Sequence, residues 1–403
     1  MYDVIVIGAR CAGSPTAMLL ARKGYRVLLV DKARFPSDSI NGYYVQPNGV
    51  AQLRRWGLFD RLRRTDCPPL RNLMFDFGGL ALRGCPPPVE DIVEGYAPRR
   101  IVLDKMLVDA AIESGVEFRE GFSVDGLVWD KEQVVGIKSH TSAGVTITES
   151  APIVVGADGG GSIVARCTNP ALYNEKPALT CWYYTHWSGI PTDTLEFYLR
   201  ARRALIACPT NSGLTMILVG APYDDFVSFR SDIAGNYFKS LDLAPEFADR
   251  VHSGKQEERL VGSVNTENFL RRPYGPGWAL VGDAGYHHDP STAQGISDSF
   301  RDAQLLSDAI DAGFSEARPL DDALLEYEQK RNLAVMPMYE FSAQLADLRE
   351  PPNSEMINLV HALQGNQTDT NRFLGVWAGT VSIPEFFAPE NLSRIASRAE
   401  RDR

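Results

Sequence analysis

The 403-residue chain holds six cysteines, Cys11, Cys67, Cys85, Cys167, Cys181 and Cys208, and no two of them stand at CxxC spacing. The missing pairs exclude a zinc ribbon or a redox dithiol, and the scatter reads as free thiols of a reducing, cytoplasmic compartment. No apolar run approaches the roughly 18 residues that a membrane helix needs, so no membrane span is expected. The opening Met1-Tyr2-Asp3 has an acid where an export leader carries basic residues, and the apolar run behind it stops at Gly8. Positive charge is short as well. With 41 Lys and Arg against 51 Asp and Glu, the formal charge of −10 repels a phosphate backbone and speaks against nucleic acid. The one basic cluster, Arg54, Arg55, Arg61, Arg63 and Arg64, alternates with Trp56, Leu58, Phe59 and Leu62 and reads as a solvated helix face. No internal repeat or low-complexity tract is present, and the charged tail Arg394–Arg403 is expected to fray.

What is present is an α/β pattern. Residues 3–7 read as a buried strand, 13–23 as a helix and 26–31 as a second buried strand. Pro15 in the first helical turn and Gly24 after the last mark the helix ends. A second amphipathic helix is expected over 103–115, followed by short stretches at 116–118, 126–129 and 134–139 that suggest a small antiparallel sheet. A buried strand at 152–156 ends on Ala157-Asp158-Gly159, and aromatic-rich strands fill 179–264. The βαβ texture returns at Trp278–Val281, then a helix from Gly295, then another over 320–348 with a break near Pro337. The expected organisation is a discontinuous nucleotide-binding domain over 1–75, 96–175 and 265–345. A sheet-based substrate domain over 76–95 and 176–264 is inserted into it, and a helical segment over 346–403 follows.

Three motifs carry the chemistry. Gly8-Ala9-Arg10-Cys11-Ala12-Gly13 keeps the outer glycines of GxGxxG and puts Arg10 at the middle one. Gly8 permits the tight turn, Gly13 permits close helix–strand packing, and the helix N-terminus offers N–H groups to a pyrophosphate. Asp31, ending the second strand, is placed to accept from a ribose hydroxyl. Gly156-Ala157-Asp158-Gly159 puts a second acid on a glycine-rich turn, open to a turn role as well as to a ligand. Val281-Gly282-Asp283-Ala284 precedes Pro290 and Gly295-Ile296, where a second helix N-terminus suits developing negative charge.

In this order the three motifs resemble the FAD-dependent family typified by p-hydroxybenzoate hydroxylase and geranylgeranyl reductase, over roughly residues 3–345. The resemblance implies an α/β fold: a glutathione-reductase-like FAD-binding Rossmann domain with an inserted antiparallel-sheet substrate domain and C-terminal helices. It implies that Gly8, Ala12, Gly13, Asp31 and Lys32 hold the ADP half, with Val124 giving a backbone contact to adenine. Arg100 would reach the ribityl or pyrophosphate region, a helix-cap or surface cation being the other reading. Asp158 would stand between FAD and nicotinamide access, with Asp283, Pro290, Gly295 and Ile296 around the flavin.

Such flavoenzymes leave the hard chemistry to the cofactor, so no catalytic nucleophile or base is nominated. Asn41, Tyr43, Tyr44, His287 and His288 are the cavity candidates, together with alternate members of Trp182–Trp187. Adjacent histidines point apart, which argues against a metal at His287-His288. Flavin halogenases of this fold carry WxWxIP and an essential lysine; here the segment is His186-Trp187-Ser188-Gly189-Ile190-Pro191, against halogenation. The expected activity is a monooxygenase, hydroxylating or epoxidising an apolar small molecule through a flavin C4a-hydroperoxide, in secondary metabolism. Molecular oxygen would be the co-substrate, with electrons from NADH or NADPH directly or through a separate flavin reductase. The alternatives are a C=C reductase of the geranylgeranyl reductase type and a non-redox cyclase or ligand binder that holds FAD.

Overall fold

A computed structural model describes residues 1–39, 42–140, 144–264, 267–350 and 352–401. Strands buried on both faces build its first layer. The strand Val4–Ile7 pairs in parallel with Val27–Asp31 on one side and Ile153–Gly156 on the other. Glu117–Glu120 and Trp278–Leu280 extend the sheet in parallel, and Tyr274–Gly275 closes one edge. Val4, Val6, Val27, Leu29, Ile153 and Val155 point to one face, where helices Gly13–Arg22, Arg100–Glu113 and Gly295–Phe314 cover them. Ile5, Ile7, Leu28, Val30 and Val154 point to the other and meet Leu127, Val134 and Ile137 of a three-stranded antiparallel sheet. A sheet buried on both faces requires such continuous apolar strands.

The second layer is a larger sheet ordered Lys255–Gln256, Thr180–Ser188, Thr215–Pro222, Arg203–Pro209, Thr194–Arg200, Asn72–Asp76, Ala81–Gly84, with Val261–Val264 also pairing with Thr180–Ser188. It is antiparallel except where Thr194–Arg200 runs parallel to Asn72–Asp76. Period-two alternation splits its side chains. Cys181, Tyr183, Leu205, Ala207, Ile217 and Val219 pack outward on three helices, Phe226–Ser231, Ile233–Leu241 and Pro245–His252. The opposite face, with Tyr184, Leu195, Phe197, Cys208 and Met216, turns toward the first layer.

Four expectations shift. The stretch at 116–118 joins the parallel sheet rather than the small antiparallel one, because the apolar helix before it is a crossover that returns the chain beside Val27–Asp31. The three helices covering the outer face of the second sheet fall within a stretch that reads from sequence as strands. The helix Leu320–Ala346 runs through Pro337 without a break, since buried Val335 and Tyr339 pin both sides of the proline to Leu270 and Tyr286. The C-terminal tail is helical over Pro389–Arg401, with Arg394 paired to the buried Asp369. The basic cluster is held by acids: Arg54 and Arg55 meet Glu90, and Arg61 meets Glu113.

Candidate functional site

Strand register brings the three motifs to one edge. Ile7 stands opposite Gly156 and Val30, and Gly156 stands opposite Leu280. Gly8, Asp31, Ala157-Asp158 and Gly282-Asp283 therefore leave the sheet side by side at its carboxyl ends, where ligands of open α/β sheets bind. A cavity of about 800 Å³ opens there and runs to the inner face of the second sheet.

At one end, Gly8 has a φ of +102°, and a Cβ on it would lie 2.5 Å from the Ala157 carbonyl oxygen. A Cβ on Gly13 would stand 1.7 Å from the Gly8 carbonyl oxygen, so the turn closes only without side chains. Asp31 accepts from the N–H of Ala9 and of Ala33, each at 2.7 Å, which fixes its carboxylate on the cavity wall. Lys32 and Val124 line the same end.

Arg10, at the middle-glycine position, turns aside to the Asp104 carboxylate and the Ser37 hydroxyl, its guanidinium 5.4 Å from the Phe35 ring centre. Arg100 donates to the same Asp104 at 3.0 Å, and the Cys11 thiol donates to it at 3.4 Å. Asp104 is fully buried. Two guanidiniums thus share one carboxylate, and one positive charge is left over beside the first helix N-terminus, where a pyrophosphate would lie. Cys11 is no nucleophile there, because burial pushes its thiol far up.

In the middle, Asp158 accepts from the Ile163 N–H at 2.7 Å through one oxygen. Its other oxygen is buried without a hydrogen-bond partner among the described residues. Burial raises its pKa, and a ligand hydroxyl would satisfy the free oxygen. Asp283 is exposed on the facing wall, with Pro290, Gly295 and Ile296 beyond it. The first-turn N–H groups of the 20-residue helix Gly295–Phe314 have no intrahelical partner and face this region.

Beyond the acids the walls turn apolar: Trp182, Tyr184, Leu195, Phe197, Met216 and Trp377, with Tyr43 and Tyr44. The Tyr43 and Tyr184 rings meet edge to face at 6.2 Å, and the His186 ring stacks on Tyr43 at 5.7 Å while its Nδ1 meets Glu258 at 2.7 Å. Every residue expected at the cofactor lines the cavity except Gly13, which lies under the turn. Tyr43, Tyr44, His287 and His288 line it too, and Asn41 lies outside the described residues. The two histidines diverge: His287 bonds the Glu267 carbonyl and His288 the Asp298 carboxylate.

Sequence reasoning missed Asp104, Trp377 and the apolar set from Leu195 to Leu218. For Asp104 a signal existed, its i,i+4 spacing from Arg100. For Trp377 there was none.

The fit to FAD is supported by features of this structure: a turn that a Cβ would fill, a buried carboxylate oxygen without a partner, and one continuous cavity linking them. Residues 1–342 match the family model described as FAD binding domain. A digeranylgeranylglycerophospholipid reductase of Methanocella arvoryzae is 27% identical, covering 90% of this chain and 91% of its own. A 6-methylpretetramide 4-monooxygenase of Streptomyces rimosus is 25% identical, covering 80% of this chain and 78% of its own. The solved structure of the myxobacterial chondrochloren halogenase CndH shares the fold, with a TM-score of 0.79 at 19% identity, over 99% of this chain and 96% of that one.

Proposed function

Since the chain belongs to the FAD-binding-domain family, whose members include monooxygenases and reductases, we propose that it is an FAD-dependent monooxygenase acting on a neutral, apolar small molecule. One observation carries the reading: the substrate half of the cavity is built from aromatic and aliphatic side chains, with no charged side chain among Trp182, Tyr184, Leu195, Phe197, Met216 and Trp377. Such walls exclude water and solvate an uncharged substrate.

When bound, FAD supplies the activation of oxygen, with electrons from NADH or NADPH or from a separate flavin reductase. The chain's own residues bind and orient. Gly8, Asp31 and the Arg10–Arg100 pair hold the ADP half, Asp158 and Asp283 accept from hydroxyls, and the aromatic walls fix the substrate. The balance is one O₂, one NAD(P)H and one proton per substrate, giving the oxygenated product, NAD(P)⁺ and water.

A C=C reductase is the second reading, favoured by the 27% identity to the Methanocella arvoryzae reductase over 90% of this chain.

The test is anaerobic mixing of FAD-loaded protein with NADH or NADPH and a panel of neutral aromatic and polyprenyl compounds, followed by admission of oxygen. An oxygenated product formed only after oxygen enters is expected. Saturated product before oxygen replaces this reading with the reductase, and flavin that stays oxidised even with a flavin reductase present removes both. Independently, Asp283→Ala is expected to weaken FAD binding about tenfold, the loss of a hydrogen bond to a charged group. Equilibrium flavin titration checks it, and an unchanged Kd refutes the role given to Asp283.

A further inference from the structure

One charged cluster beside the cavity has no part in the scheme above. It joins the loop after Asp283 to the first turns of the helix Gly295–Phe314. His288, 8% exposed, has both ring nitrogens against acceptors. Nδ1 lies 3.0 Å from the Asp289 carbonyl oxygen and Nε2 lies 3.4 Å from an Asp298 carboxylate oxygen. A carbonyl and a carboxylate only accept, so both nitrogens satisfy their neighbours only when both carry a proton. The ring stacks on Tyr286 at 6.2 Å and 11°, which fixes its plane.

The groups around it agree. Asp298 is bound on its other oxygen by Arg301 at 2.7 Å, and Arg301 also bonds Asp302 and the Tyr286 hydroxyl. Burial acts against charge on both His288 and Asp298. Their contact nevertheless raises the imidazole, and Arg301 with His288 holds the Asp298 carboxyl down to about 2. Asp283, on the cavity wall, adds a further attraction to the imidazolium. Of His288, Asp298, Arg301 and Asp302, only His288 lines the cavity, so the imidazole is the cluster's one group on the wall, with Arg301 and both acids behind it and Asp283 beside it on the wall.

We propose that His288 is a fixed imidazolium that works with the N-terminus of the helix Gly295–Phe314 to favour the reduced, anionic form of the bound flavin over the oxidised form. This is a positioning and electrostatic role. It rests on FAD occupying the cavity and is independent of whether the enzyme oxygenates or saturates its substrate. Reduction places negative charge on the flavin, and a cation on a water-poor wall acts on that charge with little screening.

The midpoint potential of FAD bound to the full chain, measured by spectroelectrochemistry, tests it with no substrate present. His288→Gln keeps hydrogen-bonding capacity without charge. It is expected to weaken binding of reduced relative to oxidised FAD about tenfold, a fall of about 30 mV for the two-electron couple. Titration should find oxidised FAD binding unchanged within about twofold. His288→Lys, which restores the cation, should return most of the potential. A His288→Gln potential equal to wild type overturns the inference while leaving the monooxygenase reading intact. An equal fall in both variants overturns it too, since only shape, and not charge, would then matter. If the protein holds no FAD at all, this inference and the proposed function fall together.

Discussion

Asp104→Ala is expected to remove about 3–5 kcal/mol of stability from the FAD-free protein, the usual result of taking one partner out of a buried ion pair. Asp104 is fully buried, and its two oxygens serve Arg100, Arg10 and Cys11 together. Arg100 has a side chain only 6% exposed and no other hydrogen-bond acceptor among the described residues, so without the carboxylate its nearly buried charge keeps only the more distant attraction of Asp283. Arg10 has the Ser37 hydroxyl and partial access to water, which limits its share of the loss. The two guanidiniums would then also repel each other. Urea unfolding of the FAD-free variant and wild type measures the difference, and a loss below about 1 kcal/mol would mean that Asp104 does not hold the two guanidiniums in place. FAD changes the expectation in a telling way. A pyrophosphate beside Arg10 and Arg100 offers the negative charge that the mutation removed, so saturating FAD should shrink the gap between variant and wild type. If FAD leaves the gap untouched, the pyrophosphate does not lie at this pair.

The parts of this site legible in the sequence are those set by local backbone chemistry. Gly8, Asp31, Asp158 and Asp283 each end a short buried strand, and parallel register does the rest by aligning those ends. The middle-glycine departure at Arg10 became intelligible only through Asp104, which lies 94 residues away in sequence and answers its charge. In the second sheet the alternation of Trp182 and Tyr184 with Cys181 and Tyr183 was readable, yet which set faces the cavity was not. That choice is made by the helices Ile233–Leu241 and Pro245–His252, which occupy the other face. At Pro337 and in the charged tail, local rules lose to tertiary contact. The cost of the proline's missing N–H is met by the joint burial of Val335 and Tyr339 on either side of it, and the tail is tied down by the Arg394–Asp369 pair.

Trp377→Ala is expected to cost about 3–5 kcal/mol, the range for deleting a large buried aromatic, and to merge the lost volume with the apolar half of the cavity. The indole is 4% exposed and packs against Phe197 at 4.6 Å, Phe75 at 5.7 Å and Tyr44 at 6.0 Å. It is also a tie between parts of the chain. Its Nε1–H donates to the Ser291 carbonyl at 3.1 Å, and its own carbonyl accepts from the Gln294 side chain at 2.8 Å. Ser291 and Gln294 belong to the stretch that carries Pro290 and Gly295, so the C-terminal helices brace the loop before the helix Gly295–Phe314 as well as walling the apolar half of the cavity. The two roles separate by substitution. Trp377→Phe keeps most of the wall but loses the indole N–H, leaving the Ser291 carbonyl without that donor at a cost of about 1–3 kcal/mol. Trp377→Ala loses both. Urea unfolding of the two variants therefore apportions the effect: nearly equal losses assign Trp377 to bracing the loop, while a much larger loss for alanine assigns it to the wall. An alanine variant within about 1 kcal/mol of wild type would show that the cavity is closed without it.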